Sequence, residues 1–275
     1  VEHYDALVIS SGVTNGFWRN NVLENTDSIN QNTDRASQQL LQAQLIAIIG
    51  GGATGASVAA NLAARCPEKS VHFFFSENQP LPGYHPKVRN SAEQHLLDAG
   101  VNLRPNHRAV IPDGFQCDRF TTEPIAFSSG QDDFNADITL WAVGKMTPNN
   151  DFIPADMLND DGFVKTDPFL RVDGYDNVFA VGDIAASDPH RSSARNWGYR
   201  LLGHNIHAYL DGRNISMKRY ESPRYRWGSI FGVQGDGLRV FQPEGSSFRF
   251  PNWTIRTLLF PLAVRTMIYK GIHKA

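Results

Sequence analysis

Short apolar runs that end at glycine recur along this chain, and they predict a sheet of buried strands. The clearest is residues 45–49, Leu-Ile-Ala-Ile-Ile, which leads into a glycine-rich turn and a helix of small residues over 56–65. Similar runs predict strands at 6–9, 71–75, 101–103, 138–143 and 177–181. Strands that alternate with helices are typical of a doubly wound α/β fold.

Polar and periodic segments between these runs predict the remaining elements. Residues 13–39 are rich in Asn, Asp, Ser and Gln, which predicts a surface loop leading into a helix. Apolar periodicity predicts helices at 91–97 and 197–210. After residue 220 aromatic residues and arginines become more frequent, and the turn at 234–237 predicts a hairpin. We therefore place a domain boundary near residue 215.

Composition excludes several classes of protein. With 275 residues, 41% of them hydrophobic, and a net charge of −2, the chain is expected to be globular and to lack a general attraction for nucleic acid. Cys66 and Cys117 form no CxxC pair, so we expect no metal site. The first residues do not resemble a signal peptide, and no apolar run reaches the ~18 residues of a membrane span. We expect a cytoplasmic protein with at most peripheral membrane contact.

The glycine-rich turn after residue 49 has the spacing of a dinucleotide fingerprint. In this motif the first glycine makes the turn, the second allows the pyrophosphate to approach, and the third allows the helix to pack on the strand. Turn glycines alone are the other interpretation, but the position between strand and helix favours a nucleotide site. The candidate residues are Gly50, Gly51, Gly52, Ala53, Thr54 and Gly55.

The residue that would select the nucleotide is less well defined. An acidic residue near the end of the second strand holds the ribose hydroxyls of NAD in such sites. Glu77 lies two residues beyond that strand and is the candidate, although it could equally be an exposed loop residue. The choice between NAD and NADP therefore stays open.

A Gly-Asp pair follows the strand predicted at 177–181. This position places the Asp183 carboxylate at the carboxyl edge of a sheet, where open α/β sheets bind ligands. An aspartate at a strand end can instead cap the next segment. The candidate binding residues are Gly182, Asp183 and Ile184.

At this point the sequence resembles the pyridine nucleotide-disulfide oxidoreductase superfamily, in which such a Gly-Asp pair binds the ribityl and phosphate region of the flavin. Residues 4–12 are similar to the family strand that ends in an "ATG"-like triplet, here Ser10-Ser11-Gly12, so Ser11 and Gly12 join the candidate site. Residues 136–145 resemble the second crossover strand, with Gly144 as a candidate, and Thr147-Pro148-Asn149 follow as in the family. Four elements in the family order make the resemblance specific.

Within the superfamily the sequence looks most like the branch of apoptosis-inducing-factor-like and ferroptosis-suppressor-like flavoproteins, related to type II NADH:quinone dehydrogenases. The resemblance implies an FAD-dependent oxidoreductase that passes hydride from NAD(P)H to flavin and electrons to an acceptor. The acceptor is left open between a quinone or other small molecule, a protein such as a ferredoxin, and oxygen. It implies no protein acid or base. Because the family's first FAD-binding βαβ unit would lie upstream of residue 1, we expect these residues to hold only part of the FAD site. A catalytically silent NAD(P)-binding sensor or interaction module is the alternative.

The resemblance divides the chain into four segments. Residues 1–39 and 146–215 would belong to a Rossmann-like FAD domain, 40–145 to the NAD(P)H domain, and 216–275 to a smaller C-terminal α+β interface domain. In the tail, Ile255, Leu258, Leu259 and Leu262 recur at helical spacing. This pattern predicts a helix that either lies on a membrane surface or docks on the protein's own core.

Overall fold

The computed structural model describes residues 3–14, 24–115, 119–143 and 146–268. The chain folds as two compact units, each made of two segments. The first unit contains Val1–Asn21 and Gly144–Arg224, and the second contains Val22–Val143 and Tyr225–Ala275. The four-segment division predicted from the resemblance stays a prediction.

The strands and helices alternate along most of the chain. The strands are β1 (Leu7–Ile9), β2 (Val13–Thr14), β3 (Leu45–Ile49), β4 (Ser70–Phe74), β5 (Asn102–Arg104), β6 (Ile138–Trp141), β7 (Thr147–Pro148), β8 (Val178–Ala180), β9 (Val233–Gln234), β10 (Gly237–Phe241) and β11 (Ser247–Phe250). The α-helices are α1 (Thr26–Gln42), α2 (Ala53–Arg65), α3 (Pro86–Asp98), α4 (Tyr199–Leu210) and α5 (Asn252–Thr254). Shorter or wider helical segments cover Ala155–Met157, Ala194–Gly198, Asn214–Ser216 and Ile255–Ile268.

A four-stranded parallel sheet in the order β5-β4-β3-β6 forms the centre of the second unit. Its register pairs Ile46 with Val71 on one side and with Ile138 on the other. Nearly every residue of β3, β4 and β6 is buried, which explains why these strands read as continuous apolar runs. The order and the intervening helices confirm the predicted doubly wound α/β class.

Two smaller pairings organise the first unit. Strand β1 lies parallel to β8, with Leu7 opposite Val178, and β2 lies antiparallel to β7, with Val13 opposite Pro148. The β1–β8 pair lies on a core of buried residues from several segments, namely Ile9, Ile153, Met157, Val164, Val172, Val178, Ala180, Ile184 and Ala185. Both strand pairs bring distant parts of the chain together.

The C-terminal segment contains a three-stranded antiparallel sheet in the order β11-β10-β9. The predicted hairpin at 234–237 is confirmed, because Gln234 pairs with Gly237 across the turn. Gly237 has φ +124°, and a side chain there would overlap the carbonyl oxygen of Phe250. Glycine is therefore required at this position.

The polar segment before β3 differs from its prediction. The loop predicted over 13–39 is wrong at Val13–Thr14, which form β2, and from Thr26 onward, where α1 begins. Residues 15–23 lie outside the described part of the chain. The Asn25 side chain caps α1 by accepting a hydrogen bond from the Ser28 amide at 2.8 Å. At the other end Lys69 donates to the carbonyl oxygens of Leu41 and Ala43. These hydrogen bonds at both ends stabilise helix α1 in a segment whose polar composition favours a loop.

A carboxylate joins the beginnings of β3 and β6. The Asp137 side chain, just before β6, accepts hydrogen bonds from the amides of Leu45 and Gln44, both at 2.8 Å. These two bonds hold the pKa of the Asp137 carboxyl below its usual range. Because the folded protein favours the charged form, the stabilisation is present at neutral pH and is lost as the pH falls through the folded-state pKa.

We therefore expect Asp137→Ala to lower the free energy of unfolding at pH 7, and this difference from the parent should shrink at about pH 3, below the ordinary aspartate pKa of about 3.9. Urea unfolding at the two pH values measures it. Asp133→Ala, which removes an exposed carboxylate nearby, is the matched control. An equal deficit for Asp137→Ala at both pH values would contradict the role assigned to the charge.

Candidate functional site

The turn between β3 and α2 leaves no room for side chains at two of its glycines. Gly50 has φ +120°, and a Cβ atom there would lie 2.5 Å from the carbonyl oxygen of Ala142. A Cβ atom on Gly51 would lie 2.7 Å from the Cβ atom of Phe75. Both positions are therefore restricted by neighbouring strands and by the turn itself.

The third glycine of the fingerprint allows the helix to approach the strand. Gly55 is buried in α2, and a side chain there would overlap the carbonyl oxygen of Gly50 and lie 2.9 Å from the Phe73 ring. Because one of these neighbours is backbone, it cannot move aside without shifting the turn. Gly55 thus fixes where the first turn of α2 lies.

Gly52, in contrast, faces open space. No heavy atom lies within 4 Å of a Cβ atom built on it, and it precedes α2 without a side-chain cap. The first bond within the helix runs from the Ala56 amide to the Gly52 carbonyl at 3.1 Å, so the amides of Ala53, Thr54 and Gly55 lie before the first helical hydrogen bond. An open approach to free helix amides suits a phosphate group.

Glu77 lies beyond the end of β4 on the surface. Half of its side chain is exposed (51%), and a carboxylate oxygen is 3.4 Å from the Arg89 guanidinium. Arg89 is itself held by the carbonyl oxygens of Pro80 and Gln79, at 3.0 and 2.8 Å. An acidic and a basic group therefore lie side by side after the second strand of the sheet.

The two crossover motifs meet in the first unit. Ser11 Oγ donates to the carbonyl oxygen of Asn149 at 2.7 Å, and Asn149 Nδ2 donates to the Ser11 carbonyl at 2.9 Å. Gly12, with φ +69°, accepts a further bond from the Asn149 amide. Gly144, the candidate residue of the second crossover motif, lies outside the described residues.

The Gly-Asp pair is anchored on both sides and open in the middle. Gly182, with φ +88°, donates its amide to Ser193 Oγ at 2.8 Å. Ile184 is fully buried, and its carbonyl oxygen accepts a bond from the Val164 amide at 3.0 Å. Asp183 between them is exposed. The fold thus presents this carboxylate at the end of β8.

A buried carboxylate that sequence reasoning missed lies just after this turn. Asp188 is 5% exposed and accepts bonds from the amides of His190 and Ser192 and from the Tyr220 hydroxyl, the last at 2.8 Å. Asn196 Nδ2 donates to the same Tyr220 oxygen at 3.0 Å. Burial, together with the bond to Asp188, raises the pKa of Tyr220. No local pattern links residues 188 and 220.

Two histidines of the first unit, His190 and His204, make ordinary structural contacts. His204 Nε2 lies 2.8 Å from the Ser216 carbonyl oxygen, and His190 Nε2 lies 3.1 Å from that of Arg224. Within the described ranges, no group of three His, Cys, Asp or Glu residues is placed to hold a metal ion. In each unit the candidate binding residues are therefore backbone turns and a few carboxylates.

Comparison with known proteins gives a consistent result. The sequence profile of the pyridine nucleotide-disulphide oxidoreductase family matches residues 2–204. The chain is 28% identical over 189 residues to Fe-regulated protein 8 of Mycosarcoma maydis (68% of this chain, 46% of that protein). It is 27% identical over 281 residues to oxidoreductase ptaL of Pestalotiopsis fici (96% and 68%), and 24% identical over 187 residues to ferroptosis suppressor protein 1 of Taeniopygia guttata (66% and 50%). The chain thus spans 46% to 68% of the length of these relatives.

Solved structures agree on the fold. A water-forming NADH oxidase from Lactobacillus brevis, solved with NADH, superposes with a TM-score of 0.54 and 19% identity, covering 87% of this chain and 52% of that one. A reduced Bacillus anthracis CoADR-RHD superposes with a TM-score of 0.56 and 16% identity, covering 87% and 42%. At such identities the likeness shows the fold alone.

The different surroundings of Gly52 and Gly55 predict opposite effects of the same substitution. Gly52→Val places a branched side chain in open space, so the thermal midpoint should change little while NADH and NADPH affinity falls by about tenfold or more, because the phosphate approach is blocked. Gly55→Val should lower the thermal midpoint strongly, because its side chain overlaps backbone. Calorimetric titration and thermal melts measure the two effects.

Gly235→Val is the matched control, since Gly235 also has open space around it and lies in the C-terminal hairpin. This variant should retain both stability and nucleotide affinity. If Gly52→Val binds NADH and NADPH as tightly as the parent, the pyrophosphate does not bind at this turn.

Proposed function

Because this chain belongs to the pyridine nucleotide-disulphide oxidoreductase family, as its motifs predicted, we propose that it is the nucleotide-binding part of an FAD-dependent oxidoreductase that takes electrons from NAD(P)H. The observation that carries the proposal is the fingerprint turn, where Gly50 and Gly55 leave no room for a side chain while Gly52 is open. The relatives include proteins named ferroptosis suppressor protein 1 and apoptosis-inducing factor homolog B, which agrees with the predicted branch.

The residues present fit the cofactors by their chemistry. The open Gly52 turn and the amides that follow it suit a pyrophosphate, and the exposed Asp183 carboxylate can accept hydrogen bonds from a polyol such as the ribityl chain. Ser11 and Gly12, fixed by Asn149, would border the same cofactor. When bound, NAD(P)H and FAD supply the hydride chemistry, and the chain binds and orients them. We assign no protein acid or base.

We propose Glu77 as the ligand of the nucleotide ribose. Its carboxylate can accept two hydroxyl groups and would repel a 2′-phosphate, which favours NADH. Arg89, 3.4 Å away, is a cation that could instead meet such a phosphate. NADH and NADPH are therefore compared in each experiment below.

The first test asks whether Asp183 binds flavin in the full-length protein. Asp183→Ala should weaken FAD binding about tenfold to a hundredfold, because hydrogen bonds to charged groups contribute about 1.5–3 kcal/mol. The FAD dissociation constant comes from the visible spectrum and flavin fluorescence, and NAD(P)H added to the parent should bleach the flavin absorbance.

Asp160→Ala, at an exposed aspartate of the same unit, is the control and should bind FAD as the parent does. If the full-length parent binds NAD(P)H but no flavin, the chain is a silent nucleotide-binding module and the proposed oxidoreductase activity falls. If Asp183→Ala binds FAD as tightly as the parent, only the proposed role of Asp183 is contradicted.

The C-terminal helical segment supports a further part of the proposal, peripheral contact with a membrane. In the structure Ile255 is buried, but Trp253, Leu258, Phe260 and Leu262 are each about half exposed or more, and Arg256 and Arg265 are exposed beside them. Over the described ranges no helix combines the length and the apolar character needed to cross a bilayer. Exposed apolar residues next to arginines suit the headgroup region of an anionic membrane. Such contact would also suit a lipid-soluble quinone as electron acceptor, which we propose from the resemblance to quinone dehydrogenases.

We expect the double variant Leu258→Asp/Leu262→Asp to lose sedimentation with phosphatidylserine-containing vesicles at low salt. The two exposed leucines would no longer insert into the membrane surface, and the added carboxylates are repelled by anionic lipid. Reduction of the soluble acceptor ferricyanide should be retained. The matched control is Leu41→Asp/Leu97→Asp, which changes exposed leucines of α1 and α3. If the intact full-length protein does not sediment with these vesicles, the tail is a structural element only.

A further inference from the structure

A leucine in an unusual conformation joins the loop of residues 75–85, between β4 and α3, to the fingerprint turn. Leu81 has φ 64°, in the left-handed region that branched residues rarely adopt, yet it is fully buried. Its amide donates to the carbonyl oxygen of Gly51 at 2.7 Å. The loop that carries Glu77 is therefore attached directly to the turn proposed to bind the pyrophosphate.

Two further backbone hydrogen bonds hold this loop. The Asn106 amide donates to the Glu77 carbonyl oxygen at 2.9 Å, and the Arg226 amide donates to that of Gly83 at 2.8 Å. Both donors belong to the same unit as the loop. These bonds fix the path of the main chain but leave half of the Glu77 side chain exposed.

Arg89 ties the middle of the loop to helix α3. Its Nε atom donates to the Pro80 carbonyl oxygen at 3.0 Å, and its Nη2 atom donates to that of Gln79 at 2.8 Å. The same Nη2 atom donates to the Glu77 carboxylate at 3.4 Å. Only 21% of the arginine side chain is exposed. One planar guanidinium thus holds both the main chain of the loop and the carboxylate.

The Gln79 side chain adds a second connection between the loop and α3. Its Nε2 atom donates to Asn90 Oδ1 at 2.8 Å and to Glu93 Oε2 at 2.7 Å. Because these bonds do not involve the guanidinium, the loop keeps a side-chain contact with α3 when Arg89 is replaced. Loss of Arg89 should therefore free the Glu77 carboxylate without unfolding the loop.

The contacts of Arg89 suit the orientation of a carboxylate better than the binding of a phosphate. Two of its donors are used by carbonyl oxygens of the main chain, which restrict where the guanidinium can lie. A 2′-phosphate that approached it would also approach the Glu77 carboxylate, 3.4 Å away, and like charges repel.

We propose that Arg89 is a positioning residue that holds the Glu77 carboxylate in place for the ribose hydroxyls, and that this contact sets a preference for NADH over NADPH. The inference rests on the proposed role of Glu77 in the nucleotide site. A side chain that is already held loses less conformational freedom when a ligand binds. Arg89 therefore raises nucleotide affinity through Glu77.

The test is calorimetric titration of the full-length holoenzyme with NAD⁺ and NADP⁺, which needs no turnover. Arg89→Met removes every donor but keeps a long apolar stem, so α3 should stay packed. The dissociation constant for NAD⁺ should rise about tenfold, a typical coupling within one hydrogen-bond network, and that for NADP⁺ should stay within about twofold of the parent. With ferricyanide as acceptor, the KM values for NADH and NADPH should change by the same factors.

Arg89→Lys separates geometry from charge. A single ammonium group cannot reproduce the directed bonds to two carbonyl oxygens and a carboxylate, so this variant should resemble Arg89→Met. Arg35→Met, at an exposed arginine of α1 in the same unit, is the matched control and should bind both nucleotides as the parent does.

A double-mutant cycle tests whether Arg89 acts through Glu77. Glu77→Gln alone should weaken NAD⁺ binding at least as much as Arg89→Met does. The double variant should then bind NAD⁺ no more weakly than Glu77→Gln, because the group that Arg89 positions is already lost. Additive losses would overturn the inference.

The outcomes separate the two levels of the proposal. If the parent binds neither nucleotide, the proposed function falls and this inference with it. If Glu77→Gln weakens NAD⁺ binding but Arg89→Met does not, only the inference is overturned. A selective loss of NADP⁺ affinity in Arg89→Met would also overturn it, because Arg89 would then be a phosphate ligand. Equal losses for both nucleotides, or parental NAD⁺ affinity in Arg89→Lys, would overturn it as well, because the arginine would then act through the fold or through its charge alone.

Discussion

The close approach of helix α2 to the end of strand β3 is the constraint on which the nucleotide site depends. Gly55 lies against the carbonyl oxygen of Gly50, and Gly50 lies against that of Ala142, so backbone packs directly on backbone. Neither contact tolerates a methyl group. Because these two contacts fix the turn, Gly52 is left facing open space ahead of the helix amides. The opening therefore results from close packing on either side of it.

The first unit also contains a turn in which hydrogen bonds hold the flanking residues while the central side chain is exposed. Gly182 and Ile184 are tied to Ser193 and Val164, while Asp183 between them is exposed. A few residues later, Asp188 and Tyr220 fix the turn that carries Trp197. Binding residues on short loops need such support, because rigid strand ends and buried hydrogen bonds restrict where the side chains can lie. The buried Asp188 carboxylate is stable there because three donors satisfy it.

Conformational cost is concentrated at these turns. Gly50, Gly182 and Gly12 have positive φ angles, which glycine adopts without steric penalty. Trp197 adopts such an angle without being glycine, and its ring is not buried in compensation. Leu81 and Leu170 also have positive φ angles without being glycine, but their side chains are fully buried.

The sequence by itself determined the parallel sheet and the fingerprint turn. Strands β3, β4 and β6 are covered on both faces, so each is a continuous apolar run. The contact that requires glycine at 55 lies within one strand–turn–helix unit, whereas Gly50 is also restricted by the carbonyl oxygen of Ala142 from beyond β6. Only the tertiary structure decided the rest of the site. Ser11 meets Asn149 across 138 positions, and Asp188 meets Tyr220 across 32, so no local pattern could link them. The polar stretch before β3 became helix α1 because Asn25 and Lys69 satisfy its ends, and Lys69 comes from beyond the next helix. Propensity and periodicity report on neighbours along the chain, whereas these contacts depend on which distant groups the fold brings within hydrogen-bonding distance.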